Sequence, residues 1–314
     1  MPGSDRVVSV GLFANAAIAV GKYVAGGFTG SPAMMSEAFH STADVGNELL
    51  LLLGMRRSRR PPDALHPFGH GKLLYFYSLL VAVYIFAVGG GLAFYEGIHH
   101  LRHLEPPSHA IWNYCVLALA AVLDSYSWVI SYRELLARKD PNESTWDEIV
   151  GSKDPSVFIV FLEDSAGLIG IVLAFLGIFF GRIFHNPYLD PIASILIALL
   201  LTGVALLLGR ETGALLAGER TNRSRLKQIR EILASDPAVE GVSDLLSMQL
   251  GAEQVLLTVK IKFRAGLTLA QVEPVIARLK QRVQQSDSVR VQLFIEPSRL
   301  EEKHEAKPQP SQAA

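Results

Sequence analysis

The chain has one cysteine, Cys115, and it lies inside an apolar run. A single thiol builds neither an internal disulfide nor a cysteine-based metal site. Excess charge of either sign is missing as well. Twenty-nine Lys and Arg stand against 30 Asp and Glu, so no basic surface argues for nucleic acid. Between Arg210 and Glu296 there is neither His nor Cys, which excludes a His-built metal sensor in that stretch. No H-E-x-x-H pattern is present, and no organic cofactor is expected. Arg6 is followed by a long apolar stretch without a small-residue cleavage site, so no cleavable leader is expected.

Apolar residues, by contrast, are abundant. A bilayer crossing needs roughly 20 apolar residues. Six runs reach that length: Val8–Phe28, Ala33–Gly54, Leu73–Ile98, Ala110–Tyr132, Ser156–Gly181 and Pro187–Gly209. The expected fold is an α-helical membrane protein with six transmembrane helices over 1–209. A C-terminal domain over 210–298 and a disordered tail over 299–314 follow. Lys and Arg in short loops set orientation. The loop after the second run holds Arg56, Arg57, Arg59, Arg60 and Lys72, and that after the fourth holds Arg133, Arg138, Lys139 and Lys153. The loops after the first, third and fifth runs hold none, Arg102 and Arg182. Both termini and the C-terminal domain are therefore expected in the cytoplasm, with a bacterial inner membrane as the expected location.

The C-terminal stretch alternates patterns. Leu226–Ala234 reads as an amphipathic helix stopped by Asp236-Pro237. Val242–Leu250 and Val255–Phe263 read as strands joined by "GAEQ". Leu269–Val283 has helical periodicity, and Val289–Ile295 alternates as a last strand. The αββαβ order fits a ferredoxin-like α/β domain, a docking or dimerisation module.

Chemistry concentrates in the second run, "SEAFHSTADVGNELL", Ser36 to Leu50. Ionisable groups at membrane depth are costly and usually mark a site or a pathway. At 100° per residue, Glu37, His40, Asp44 and Glu48 fall on one stripe, with Asn47 at its edge. His40 and Asp44, at i and i+4, point the same way. The fifth run carries Glu163-Asp164. Asp44 lies roughly 16 Å from the outer edge and Asp164 roughly 12 Å from the inner edge. In a core about 30 Å thick the two acids share a depth near the midplane. Imidazole and carboxylates suit zinc, and also iron, manganese, cobalt or nickel, while the lack of thiolate disfavours copper(I) and cadmium. The alternative is a hydrogen-bonded network tying the second helix to the fifth.

Other polar groups are less decisive. "PPDALHPFGHGK" spaces Asp63, His66 and His70 three and four apart, either a second metal site or solvated side chains. His99, His100, His103 and His109 gather in an outer loop and read as solvated or as weak, adventitious metal contacts. Asp124 in the fourth run lines a pathway or pairs with a polar neighbour. Asp190-Pro191 fits a helix start. Gly89–Gly91 allows close helix packing or a flexible point.

"TGSPAMMSEAFHSTAD", "HPFGHGK" before the third helix, "LDPIASILIALL" and the αββαβ tail together resemble the cation diffusion facilitator family over nearly the whole chain. The resemblance implies a homodimer that exports divalent metal, mostly zinc, from the cytoplasm in exchange for protons. It implies a transport site with two ligands each from helices two and five. By position, His40 and Asp44 match the first pair and Asp164 the helix-five aspartate. The usual helix-five His falls at Val160, which cannot bind metal. Glu163 stands beside Asp164 instead, giving an "LED" that resembles the branch containing the ninth zinc transporter of animals. The implied ligands are then His40, Asp44, Asp164 and Glu163. Glu163 points about 100° from Asp164, so it either binds or pairs elsewhere. Glu37 or water is the alternative. Glu37, Asn47, Glu48 and Asp124 become supporting or pathway residues. The loop trio Asp63, His66 and His70 matches a secondary site in some bacterial members.

The expected activity is proton-coupled export of zinc by alternating access, with metal, protons and the bilayer as partners. Iron or manganese export, a scaffold that has lost transport, and an intramembrane metalloenzyme are the rivals. The missing H-E-x-x-H pattern and the unexplained basic loops speak against the enzyme.

Overall fold

The computed structural model describes residues 2–104, 111–138, 153–286 and 289–298. His109 and the tail over 299–314 lie outside them. The chain divides into two compact units, Met1–Ala217 and Gly218–Ala314.

The first unit is helical. Its long helices are α1 (Pro2–Thr29), α2 (Pro32–Ser58), α3 (Lys72–Arg102), α4 (Ile111–Arg138), α5 (Pro155–Ile183) and α6 (Leu189–Ala217). Among the described residues α3, α4, α5 and α6 are long and apolar enough to cross a membrane. The second helix, 27 residues long, is broken as an apolar run by Glu37, Asp44 and Glu48. The last helix runs past Gly209 to Ala217 before the chain turns at Gly218, whose positive φ of 102° suits glycine.

Local sequence explains the helix starts. Ser31 caps α2, its hydroxyl accepting from the Met34 amide, and Pro32 follows in the first turn. Asp154 caps α5 in the same way through the Ser156 amide, followed by Pro155. Asp190 does more than open α6. It is buried, and its Oδ1 accepts from the Ser31 hydroxyl and the Ala33 amide, which ties α6 to the start of α2.

Small residues let the helices approach. The third helix winds into a π-helical segment over Ile85–Gly91, a wide turn common at functional sites. There a Cβ at Gly90 would fall 2.6 Å from Thr202 Oγ1 of α6. Between α5 and α6, a Cβ at Gly177 would fall 2.5 Å from that of Ala193. Gly89 and Gly90 thus serve close packing on α6, and both lie inside the π segment. The outward faces carry Leu119, Val122, Tyr126, Val172 and Leu206, all exposed. That is the arrangement of a bundle facing lipid rather than water.

The second unit follows the sequence pattern closely. Helix α7 (Arg223–Ala234), β1 (Val239–Gly251), β2 (Gln254–Phe263), α8 (Leu269–Ser286) and β3 (Arg290–Pro297) form the αββαβ order. The sheet order is β1-β2-β3, with β1/β2 antiparallel and β2/β3 parallel. Parallel pairing needs a crossover, and α8 supplies it. Ile229 and Leu233 of α7 and Val275, Leu279 and Val283 of α8 pack on Val255, Leu257, Val259 and Ile261 of β2.

Asp236, just after α7, is nearly buried, and its carboxylate accepts from Arg278 at 2.9 and 2.8 Å. The Arg278 bonds, joined by the Ala238 amide, hold the Asp236 carboxyl below the usual range. A depressed carboxyl contributes stability above its unfolded-state pKa and loses it as pH falls through the folded value. Asp236→Ala is therefore expected to lower the thermal unfolding midpoint of this unit at neutral pH. The difference from the parent chain should shrink below about pH 4, and calorimetry across that range checks it.

Candidate metal centre

The second helix is where the polar stripe becomes three-dimensional. His40 is 3% exposed, and its Nδ1 lies 3.4 Å from Asp44 Oδ1. Neither of those two buried atoms has a hydrogen-bond partner. The other side of the imidazole faces α5. A Cβ at Gly167 would sit 2.8 Å from His40 Nε2, so only glycine leaves the ring its place.

From α5, Asp164 is held by α4. Ser127 donates to both its oxygens, at 3.2 and 3.1 Å, and Ser131 donates at 2.8 Å. Asp124, Ser127 and Ser131 lie at i, i+3 and i+7, on one face of α4. His40, Asp44, Asp124, Glu163 and Asp164 all line one small cavity of about 80 Å³, together with Asn15, Glu48 and Val160. Groups from α2 and α5 thus line one cavity, and α4, where the sequence singled out Asp124, adds a third wall.

Two expected groups are engaged elsewhere. Asn47 donates to Glu163 Oε1 in a buried pair between α2 and α5. That bond draws the Glu163 carboxylate along α2, toward Asn47. Glu37 is fully buried and meets Lys22 of α1, with Nζ 3.0 Å from Oε2. The same ammonium donates to Ser41 Oγ at 2.8 Å. Close approach matters here too, because a Cβ at Gly170 would fall 2.2 Å from Glu37 Oε1. The remaining stripe residue, Glu48, accepts from Asn15 Nδ2 at 2.7 Å.

Lys22, Asn15, Ser127 and Ser131 are the residues missed from the sequence. A lysine alone in the first apolar run was the available signal for Lys22. For the serines it was their helical spacing from Asp124.

The loop before α3 brings Asp63, His66 and His70 together. Their ligand atoms lie within 4.8 Å of one another, the one such group among the described residues. His66 Nδ1 is 3.1 Å and His70 Nε2 3.4 Å from the Asp63 carboxylate. The His66 amide, joined by the His66 side chain and the Leu65 amide, keeps the Asp63 carboxyl below its usual range. The trio is thereby preformed with its acid ionised, as a divalent cation requires. His99, His100 and His103 do not gather on an acid in that way. His99 stacks on Tyr95, and His100 Nδ1 lies 3.4 Å from Glu96.

A larger cavity, about 380 Å³, shares Glu48, Leu51, Ser127 and Val160 with the small one. It extends along Met55, Glu134 and Ser156, toward the end of the bundle where α2 and α4 finish and α5 begins. The opposite end is laced by polar contacts. Thr29 donates to Asn113 Oδ1, Ser36 and Ser194 share a hydrogen bond, and Asp190 receives Ser31 and Ala33.

Removing one member of a buried ion pair strands the other charge, at a cost of about 3–5 kcal/mol. Lys22→Met is expected to cost stability on that scale. Lys22→Met with Glu37→Gln should recover most of it, because no charge is then left unpaired. Thermal unfolding of the purified chain in detergent compares the two.

Comparison with known proteins adds a lineage to this geometry. A model of the cation efflux transmembrane domain matches residues 8–217. The proton-coupled zinc antiporter SLC30A9, mitochondrial, of Xenopus laevis is 31% identical over 288 residues, which are 90% of this chain and 52% of that protein. Metal tolerance protein C4 of Arabidopsis thaliana is 30% identical over 274 residues, 85% of this chain and 58% of that one. The manganese efflux system protein MneP of Bacillus subtilis is 22% identical over 303 residues, covering 94% and 96%. The chain spans about half the length of the SLC30A9 protein it matches.

Proposed function

Given that the chain belongs to the cation efflux family, we propose that it exports a divalent metal, zinc first, in exchange for protons. The observation that carries the reading is the cavity where His40 and Asp44 of α2 face Asp164 of α5. Two of its donor atoms, His40 Nδ1 and Asp44 Oδ1, are buried and unpartnered. An apolar bundle leaves such atoms bare only at a cost, and a cation would satisfy them.

The transported ion enters through the larger cavity and passes Glu134 and Glu48. It binds His40 and Asp44, and Asp164 turns to it from Ser127 and Ser131. The basic loops beside that end of the bundle make it the cytoplasmic one, so both termini are inside and the bundle has six spans. The site then opens to the other side when the polar contacts around Asp190, Ser194 and Asn113 part. Protons compete with metal at every step, because only neutral imidazole and ionised carboxylate bind it. His40 takes part in that competition, because its imidazole must be neutral to bind metal. The loop trio gives the metal a first contact on the entry side. The αββαβ unit joins two copies of the chain.

A second metal class has its own support. Carboxylates outnumber imidazoles around the cavity, a balance that favours harder ions such as manganese and iron. The similarity to a manganese efflux protein points the same way.

His40→Ala and Asp44→Ala are each expected to abolish metal-driven proton movement in vesicles containing the purified chain. Full flux in both variants would remove the site from consideration. Competitive uptake of zinc and manganese across a pH gradient orders the two metals.

A further inference from the structure

One ionisable side chain belongs to both cavities. The larger and the smaller share Glu48, Leu51, Ser127 and Val160, and of these only Glu48 is an acid. Glu134 lines the larger cavity and not the smaller, while His40 and Asp44 line the smaller and not the larger. Glu48 follows Asp44 by four residues, about 6 Å along the axis of α2 and on the same face. It therefore stands one turn short of the transport site, on the side toward which the larger cavity extends.

Its carboxylate is half engaged. Oε1 accepts from Asn15 Nδ2 of α1 at 2.7 Å. Oε2 is buried and has no hydrogen-bond partner. The Asn15 bond ties α1 to α2, but it does not explain an acid. Glu48→Gln would keep that acceptor without placing a charge in an apolar bundle. A structural tie has no use for the second oxygen either, and burying it unpartnered costs stability. A divalent cation arriving from the larger cavity accounts for both features, since it calls for a negative charge and occupies the bare oxygen. Among the described residues Glu48 belongs to no set of three ligand atoms within 4.8 Å of one another. One carboxylate by itself is enough to hand an ion on and too little to keep it.

We propose that Glu48 is a relay ligand for the transported divalent cation. Its bare oxygen takes the ion from the larger cavity and passes it to His40 and Asp44. Asn15 is a positioning residue that holds the other oxygen. This rests on the transport site read above and adds a separate binding step on its entry side. A relay stabilises the ion in passage more than the ion at rest one turn away, because attraction grows as charges close. Its loss therefore slows loading and release together, whereas the loss of a standing ligand speeds release.

The test uses the full chain in detergent, in a background where His66→Ala and His70→Ala silence the loop trio. Stopped-flow mixing with zinc and a fluorescent zinc indicator gives association and release rates, and titration gives the affinity. Every variant is compared with that background. Glu48→Gln keeps the shape and the Asn15 bond and removes the charge. It should slow association at least about tenfold, the equivalent of one lost charge-assisted contact, with release no faster than in the background. The affinity should then fall by less than the association rate does. Asn15→Ala keeps every charge and should reproduce part of the slowing, because Oε1 is no longer held. Unchanged association in Glu48→Gln, or faster release, would overturn the inference and leave the transport site standing. Unchanged rates in Asn15→Ala beside a slow Glu48→Gln would overturn the part given to Asn15 alone. Unchanged affinity in Asp44→Asn would overturn the transport site itself. Should Glu48→Gln fail to fold, Asn15→Ala decides: unchanged association there overturns the inference.

Discussion

A charge inside an apolar bundle must be answered by a neighbouring helix, and the arrangement of this bundle follows from how each one is answered. Lys22 of α1 meets Glu37 of α2 at 3.0 Å, and both are fully buried. Asn15 meets Glu48 one end further along the same two helices. Asn47 pins α2 to α5 through Glu163, and two serines pin α4 to α5 through Asp164. Without water to substitute, none of these partners can be lost cheaply. Glycines supply the close approach that the bonds require. Gly167 gives room to His40 and Gly170 to Glu37, both on the face of α5 turned to α2.

Much of this was legible in the residues. The stripe of Glu37, His40, Asp44 and Glu48 follows from helical geometry alone. So does the register of Asp44 with Asp164, because depth is only a count of residues along two helices. The αββαβ order was readable because strands and helices there have clean periods. Boundaries were less so. The sixth helix continues to Ala217 because nothing in Arg210-Glu211-Thr212 stops a helix, whereas hydropathy falls there.

What the residues could not show is which polar group takes which partner. Glu163 and Asp164 are neighbours in sequence and differ by about 100° in direction. Which of them is held by the serines of α4 and which reaches Asn47 depends on how α5 is rotated, and packing fixes that. Lys22 illustrates the same limit. Alone in an apolar run it has no visible partner, since Glu37 belongs to another helix. The role of Asp190 was half visible. Its place at the start of α6 is written in Asp190-Pro191, but its bonds to Ser31 and Ala33 exist only once α2 and α6 are side by side.

Charge accounting links these pieces to transport. At the proposed site, acids from α2 and α5 share a medium that penalises unpaired charge by several kcal/mol. The buried cation within electrostatic reach of His40 and Asp44 is Lys22. Its ammonium is shared between Glu37 and Ser41, so it is fixed rather than free to swing into the cavity. Held in that pair, the ammonium does not compete as a ligand at the proposed site. The ion pair that holds α1 to α2 thus stands beside the proposed site and keeps its lysine out of it.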